Sequence, residues 1–131
     1  MQTREQKYAD SAFRKISDDI ETKERGYQKK YGSMAHKLPV LIRSAGLAQA
    51  LQFVESRGKD EQKVLLEHLA STIGYASKAE LLGKSRSESL NGYIHLTEKV
   101  LGALLWYKRF AQSVLKVEAG EDEENTAVEG E

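Results

Sequence analysis

Cysteine is missing from the 131 residues, and proline and tryptophan occur once each. Without thiols there is no disulfide scaffold, no cysteine nucleophile and no Cys-ligated zinc site. Long apolar runs are missing too. No window of about 18 apolar residues is available for a membrane span. The N-terminus opens on Arg4, Glu5 and Lys7 in place of an apolar signal region, and no lipidation motif is present, so a soluble, cytoplasmic protein is expected. Neither strand-type alternation nor an internal repeat of about 20 to 50 residues occurs. An excess of one charge is also lacking overall, with 20 Lys and Arg against 20 Asp and Glu.

That balance hides an asymmetry along the chain. From Glu118 onward the run EAGEDEENTAVEGE carries seven acids (Glu118, Glu121, Asp122, Glu123, Glu124, Glu129, Glu131) and no base. Residues 1 to 117 therefore hold all 20 bases against 13 acids, a net charge of +7. The length suits one domain with a single modest core. The expected division is a helical domain over residues 1 to 117 and a disordered acidic tail over 118 to 131, which has almost nothing to bury. The tail keeps the chain soluble or shields the basic body from wrong anions. A basic body favours a polyanionic partner.

The periodicity is helical nearly throughout. Ala9, Phe13, Ile16, Ile20, Tyr27 and Tyr31 recur at steps of three, four or seven, which predicts one long amphipathic helix over residues 3 to 31, kinked if anywhere at Gly26. Arg4, Lys7, Arg14, Lys15, Arg25 and Lys29 project from its opposite face, a basic stripe of roughly 38 Å if unbroken. Asp18 lies among them, so a solvated face of i, i+4 ion pairs is the competing reading. Gly32 and Ser33 are expected to end this helix and Pro39 to begin a second. A third ends at Arg57-Gly58, and Asp60 caps a fourth that stops at Gly74. Ser77 and Glu80 form a capping box for a short helical turn through Leu82, followed by a polar loop over residues 83 to 89 that holds Lys84 and Arg86. The last helix, residues 87 to 117, is apolar over most of its circumference and is expected at the centre of the bundle. Its two glycines, Gly92 and Gly102, are read as points of close helix approach. Its polar strip carries His95, Glu98, Lys99, Arg109 and Trp106.

Catalytic motifs are absent. There is no phosphate-binding glycine loop, no HExxH and no nucleophile elbow. His36, His68 and His95 read as ordinary surface histidines; the pair His95 and Glu98 falls short of a metal site, and no cofactor is expected. Asp18-Asp19 and Asp60-Glu61 read as solvated, with no general acid/base role.

Two segments carry a family resemblance: KLPVLIRSAGLAQALQFVES at residues 37 to 56 and GYIHLTEKVLGALLWYKRFAQ at residues 92 to 112. The signature L-P-x-L-I-R-S-x-G-L-x-Q-A-L-x-F over residues 38 to 53 and the ending Lys108-Arg109-Phe110-Ala111 resemble the small-subunit family of the type III-B CRISPR effector, the Cmr complex. The resemblance spans residues 9 to 115 and leaves the acidic run outside. It implies an all-α fold, here a compact single-domain bundle of about five to six helices with a long N-terminal helix and a central C-terminal one. It also implies a non-catalytic role: several copies stacked as a minor filament, in contact with the backbone subunits that hold the guide RNA and with the large polymerase-like subunit, lining the channel for guide and target RNA.

Two functions follow. In the first, Lys and Arg hold an RNA backbone without reading its sequence; the candidate contacts are Arg4, Lys7, Arg14, Lys15, Lys29, Lys37, Arg43, Lys84 and Arg86. In the second, the chain is a pure protein-interaction module that meets neighbouring subunits or its own copies. Trp106 and Arg109 are candidate interface anchors, the alternative being burial of Trp106 under the first helix with Arg109 stacked on it.

Overall fold

The computed structural model describes residues 2–120. Among them the chain forms six α-helices and one π-helical turn, with no strand. Helix α1 (Arg4–Lys15) starts at Thr3, whose hydroxyl accepts from the Gln6 N–H while the Gln6 side chain accepts from the Thr3 N–H. This reciprocal cap satisfies two donors of the first turn. The π-helical turn Ile16–Ile20 continues α1 and leads to a break over residues 21–24.

The break overturns the expected helix over residues 3 to 31. Glu24 is extended, and α2 (Arg25–Ala45) starts afresh after it. The Gln28 side chain reaches back and donates to the carbonyls of Glu21 and Lys23, which the interrupted helix leaves unpaired. Apolar periodicity is blind to this turn. Ile20 and Tyr27 lie seven residues apart, a step that suits a continuous helix and equally a fresh one beginning between them.

Helix α2 then runs on through Gly32, Ser33 and Pro39, the residues expected to mark its limits. Gly32 is there for space. A Cβ added to it would lie 2.7 Å from Cβ of Val117, which packs against this point. Pro39 sits buried within the helix, where the missing N–H removes one bond of the ladder.

Helices α3 (Leu47–Arg57), α4 (Asp60–Thr72), α5 (Lys78–Ser87) and α6 (Leu90–Ser113) complete the bundle. The boundaries at Gly46, Gly58 and Gly74 fall where the glycines stand, although Gly58 keeps a negative φ and Asp60 is the first helical residue after Lys59 rather than the cap. Ser77 caps α5 through the Glu80 N–H, and the helix continues to Ser87. The expected loop over residues 83 to 89 is therefore helical for most of its length.

The centre is shared differently from expectation. Helix α2 packs against α3, α4 and α6, and every residue from Tyr31 to Pro39 except Lys37 is buried. Helix α6 buries one stripe (Leu96, Val100, Ala103, Leu104, Tyr107, Ala111) against α1, α2 and α4, while Leu90, Ile94 and Leu105 on its other apolar stripe are exposed. An added Cβ at Gly102 would make only ordinary contact with Tyr8, so close approach does not demand glycine there.

After α6 the chain turns at Lys116, with φ of 59°, and lies across α2 as a strap. Leu115 and Val117 are buried, the Val117 N–H donates to the Ala111 carbonyl, and the Arg25 guanidinium donates to the carbonyls of Leu115 and Lys116. His36 donates from Nε2 to the Val117 carbonyl at 2.9 Å. No described helix is long and apolar enough to cross a membrane.

Candidate nucleic-acid interface

The α1–α2 break divides the basic stripe. Arg4, Lys7, Arg14 and Lys15 stay on α1, whereas Arg25 and Lys29 belong to α2, so no continuous 38 Å track exists. Several of the α1 cations are engaged. The Arg14 guanidinium pairs with Asp10 at 3.1 Å, Arg4 lies over the Tyr8 ring, and Lys15 is half-buried. Arg25 holds the strap.

Helix α2 carries Arg25, Lys29, Lys30, Lys37 and Arg43 and not one acid. At about 100° per residue, Lys29, Lys30, Lys37 and Arg43 project within a sector of roughly 140°, opposite the buried stripe of Tyr31, Ala35, Leu38 and Ile42. Lys29 and Lys37 are thus brought onto one face, with Arg43 at its end. Sequence reasoning misses Lys30 because, projected along one helix over residues 3 to 31, it falls outside the basic stripe. Lys84 and Arg86 lie apart in the last turn of α5, a helix packed on α3 and α4, with Arg86 beside Glu55 and Lys78. Lys78 is itself bound to Glu55 at 2.8 Å.

Trp106 and Arg109 meet: the guanidinium lies 4.9 Å above the indole ring. The indole N–H donates to Glu5 of α1 at 3.1 Å, and the ring tilts against Phe110, whose edge contacts Phe13. Trp106 is half-buried, so it combines contact with α1 and an open edge.

Two of the three histidines are not on the surface. His36 and His68 are buried, and only His95 is exposed. Asp19, expected to be solvated, turns one carboxylate oxygen onto Nε2 of His68 at 3.0 Å. The π-helical turn carries Asp19 to this position. On the other side of the ring, Nδ1 lies 2.7 Å from the Tyr31 hydroxyl. The Tyr107 hydroxyl donates to the His68 carbonyl, which leaves it to accept from Thr72, and Thr72 in turn accepts from Ser11. Burial lowers the His68 pKa and pushes the Tyr31 hydroxyl well above its ordinary value. An Asp-His-Tyr series resembles a catalytic relay in composition, yet Tyr31 is fully enclosed. Its hydroxyl is out of reach of a solute, and the series holds α1, α2, α4 and α6 together. Among the described residues no group of three His, Asp or Glu side chains is placed to hold a metal ion.

Fold and surface define a class: a small all-α bundle in which one helix, α2, carries five Lys and Arg side chains and no acid of its own. Comparison with known proteins gives the family. The family model described as CRISPR-associated protein (Cas_Cmr5) matches residues 4–114, and the chain belongs to that family. This agrees with the resemblance read from residues 38 to 53 and 108 to 111. The CRISPR system Cmr subunit Cmr5 of Thermus thermophilus is 45% identical over 116 residues, 88% of this chain and 99% of that protein. The X-ray crystal structure of a CRISPR-associated Cmr5 family protein from the same organism matches with a TM-score of 0.80 at 44% identity, covering 89% of this chain and 100% of that one.

Proposed function

We propose that the chain is a non-catalytic small subunit of a Cmr-type CRISPR effector, working with the other Cmr subunits in cytoplasmic antiviral defence. In this reading copies stack beside the guide-bearing backbone subunits and the large polymerase-like subunit, and lysines touch guide and target RNA through phosphate. The observation that carries the RNA contact is the α2 face, where Lys29, Lys30, Lys37 and Arg43 stand without an acid on the same helix. Phosphate recognition needs such charge and no base-specific geometry. Residues 1 to 117 form the working domain in this reading, since Val117 is the last buried residue among those described. The acidic run from residue 118 is an appendage, most of which lies outside the described residues.

Binding of the full chain to single-stranded RNA, measured against salt, tests the reading. Three to five phosphate contacts give a log-log slope of about −2 to −4, and an affinity indifferent to salt would refute the contact. A second reading, a protein-interaction module without RNA contact, draws on Leu90, Ile94 and Leu105, which leave an apolar stripe of α6 open. It predicts no RNA binding at any salt.

A further inference from the structure

One glycine and two arginines on the seam between α1 and α6 are not accounted for by packing inside the bundle. Gly102 lies within α6, where glycine weakens a helix interior. A Cβ added there would meet Tyr8 at 3.6 Å and Arg4 at 3.8 Å, ordinary contacts that alanine could make. Gly102 is also half-buried, so its backbone stays open to an occupant from outside. Glycine at such a point permits close approach of a ligand to the main chain.

The two arginines flank that opening. The Arg4 guanidinium lies over the Tyr8 ring, 5.5 Å from its centroid, and Arg109 lies over Trp106 at 4.9 Å. Both are exposed, and among the described residues neither joins an ion pair. A guanidinium stacked on a ring is held in place while its N–H edge stays free, which suits bidentate contact with phosphate. Lys99, also exposed, extends the row. On α6, Lys99, Gly102, Trp106 and Arg109 project within about 80° of one another, and Lys99 and Arg109 stand about 15 Å apart along the axis. Two acids border the row, each turned to a partner: Glu5 accepts from the Trp106 indole N–H, and Glu98 faces His95 at 4.0 Å. Cations spread over such a length exceed the reach of one anion and match a charge repeated along a chain.

We propose that the α1–α6 seam is a second contact for single-stranded RNA, in which successive phosphates engage the forks of Arg4 and Arg109 and the ammonium of Lys99 while the strand passes over Gly102. This contact presupposes the RNA binding proposed above and is independent of the α2 lysines.

The single tryptophan is the reporter. Binding of a labelled oligouridylate to the full chain is followed by anisotropy, and Trp106 by its acrylamide quenching with the unlabelled strand. At saturation the quenching is expected to fall to about half. Arg4→Lys combined with Arg109→Lys keeps the net charge, removes both forks and is expected to weaken binding about fivefold, whereas Arg57→Lys leaves it unchanged. Gly102→Gln blocks the path of the strand and improves helix propensity. It is expected to weaken binding while the thermal midpoint holds or rises, an effect that a glycine serving the fold alone would not show. RNA that binds while Trp106 quenching stays unchanged, and that the double lysine variant binds equally well, overturns the seam and leaves the α2 contact standing. No binding of RNA to the full chain overturns both. Hexaglutamate that protects Trp106 as well as oligouridylate does means that carboxylates of a protein partner occupy the seam, and overturns the assignment to RNA.

Discussion

Tyr31 donates its hydroxyl hydrogen to Nδ1 of His68 over 2.7 Å. The direction follows from the other side of the ring, where Nε2 faces the Asp19 carboxylate, an acceptor, and must carry the proton. His68 is thereby fixed as one neutral tautomer, with both nitrogens and its own carbonyl satisfied inside the bundle.

This arrangement makes the fold acid-sensitive in a defined window. Burial, the largest cause, lowers the His68 pKa below its ordinary 6.5, and the hydrogen bond that Nε2 donates to Asp19 opposes it without winning. The folded state therefore binds the proton less readily than the unfolded one. The stability it contributes is fully present above about pH 6.5 and is lost as pH falls below that value. Thermal unfolding between about pH 5 and pH 8 is expected to show a steeper acid-side fall for the native chain than for His68→Gln. Parallel curves would contradict it. Tyr31→Phe leaves Nδ1 unsatisfied and is expected to cost about 1 to 3 kcal/mol at neutral pH.

The strap yields a prediction of opposite signs at two helical glycines. Alanine in place of glycine stabilises a helix interior by about 1 kcal/mol. At Gly83 of α5 nothing lies within 4 Å of an added Cβ, so Gly83→Ala is expected to stabilise by up to that amount. At Gly32 the new Cβ would lie 2.7 Å from Val117, and overpacking of this kind costs about 1 to 3 kcal/mol. Gly32→Ala is expected to be neutral or destabilising, and Gly32→Ala combined with Val117→Ala to recover part of the loss. Denaturant midpoints decide it. A clear gain from Gly32→Ala alone would show that the strap does not press on α2.

Much of the architecture was legible because helices announce themselves through apolar spacing and glycine punctuation. Gly58 and Gly74 stand at real ends, and Ile16, Ile20 and Tyr31 of the expected apolar face are fully buried. What failed depended on tertiary contacts. Gly32 reads as a breaker unless Val117 is known to lie on it, and Pro39 reads as a start unless the rest of α2 is held by three neighbouring helices. His36 and His68 read as surface residues because their partners are distant in sequence, at Val117, Asp19 and Tyr31. Leu115 and Val117 continue the apolar pattern of α6 while in fact forming the strap. Of the site, the residue types were visible; which cations share a face depended on a helix break that periodicity does not register.

Trp106 is the only tryptophan, which isolates its signal. Its ring is half-buried, covered on one side by Arg109 at 4.9 Å, and its N–H is held by Glu5. Arg109→Ala is expected to increase quenching of the emission by acrylamide while costing only about 0.5 to 1 kcal/mol, the range of an exposed cation–π pair. Quenching that does not change would mean that the guanidinium does not shield the ring in solution.

The two basic helices make competing predictions for RNA. On α1, charge reversal at Lys7, Arg14 and Lys15 acts on a surface where Arg14 already faces Asp10 and where Asp18 and Asp19 follow within one turn. Those acids offset part of the field that a phosphate would experience. Helix α2 carries no acid of its own, Asp19, Asp60 and Glu61 acting on it near Tyr27 from neighbouring elements, and Lys29, Lys30 and Lys37 share a face. The triple substitution Lys29, Lys30 and Lys37→Glu is therefore expected to lower RNA affinity more than the triple substitution on α1, and to reduce the salt slope by about 0.7 for each phosphate that is no longer neutralised. Lys59 and Lys63→Glu, at the start of α4, serve as a control for overall charge. Measurement by fluorescence anisotropy at about 50 mM and 200 mM salt gives both quantities. Losses from all three variants in proportion to the charge each removes would mean that net charge alone governs binding; a larger loss from the α1 variant would move the RNA-binding surface to that helix.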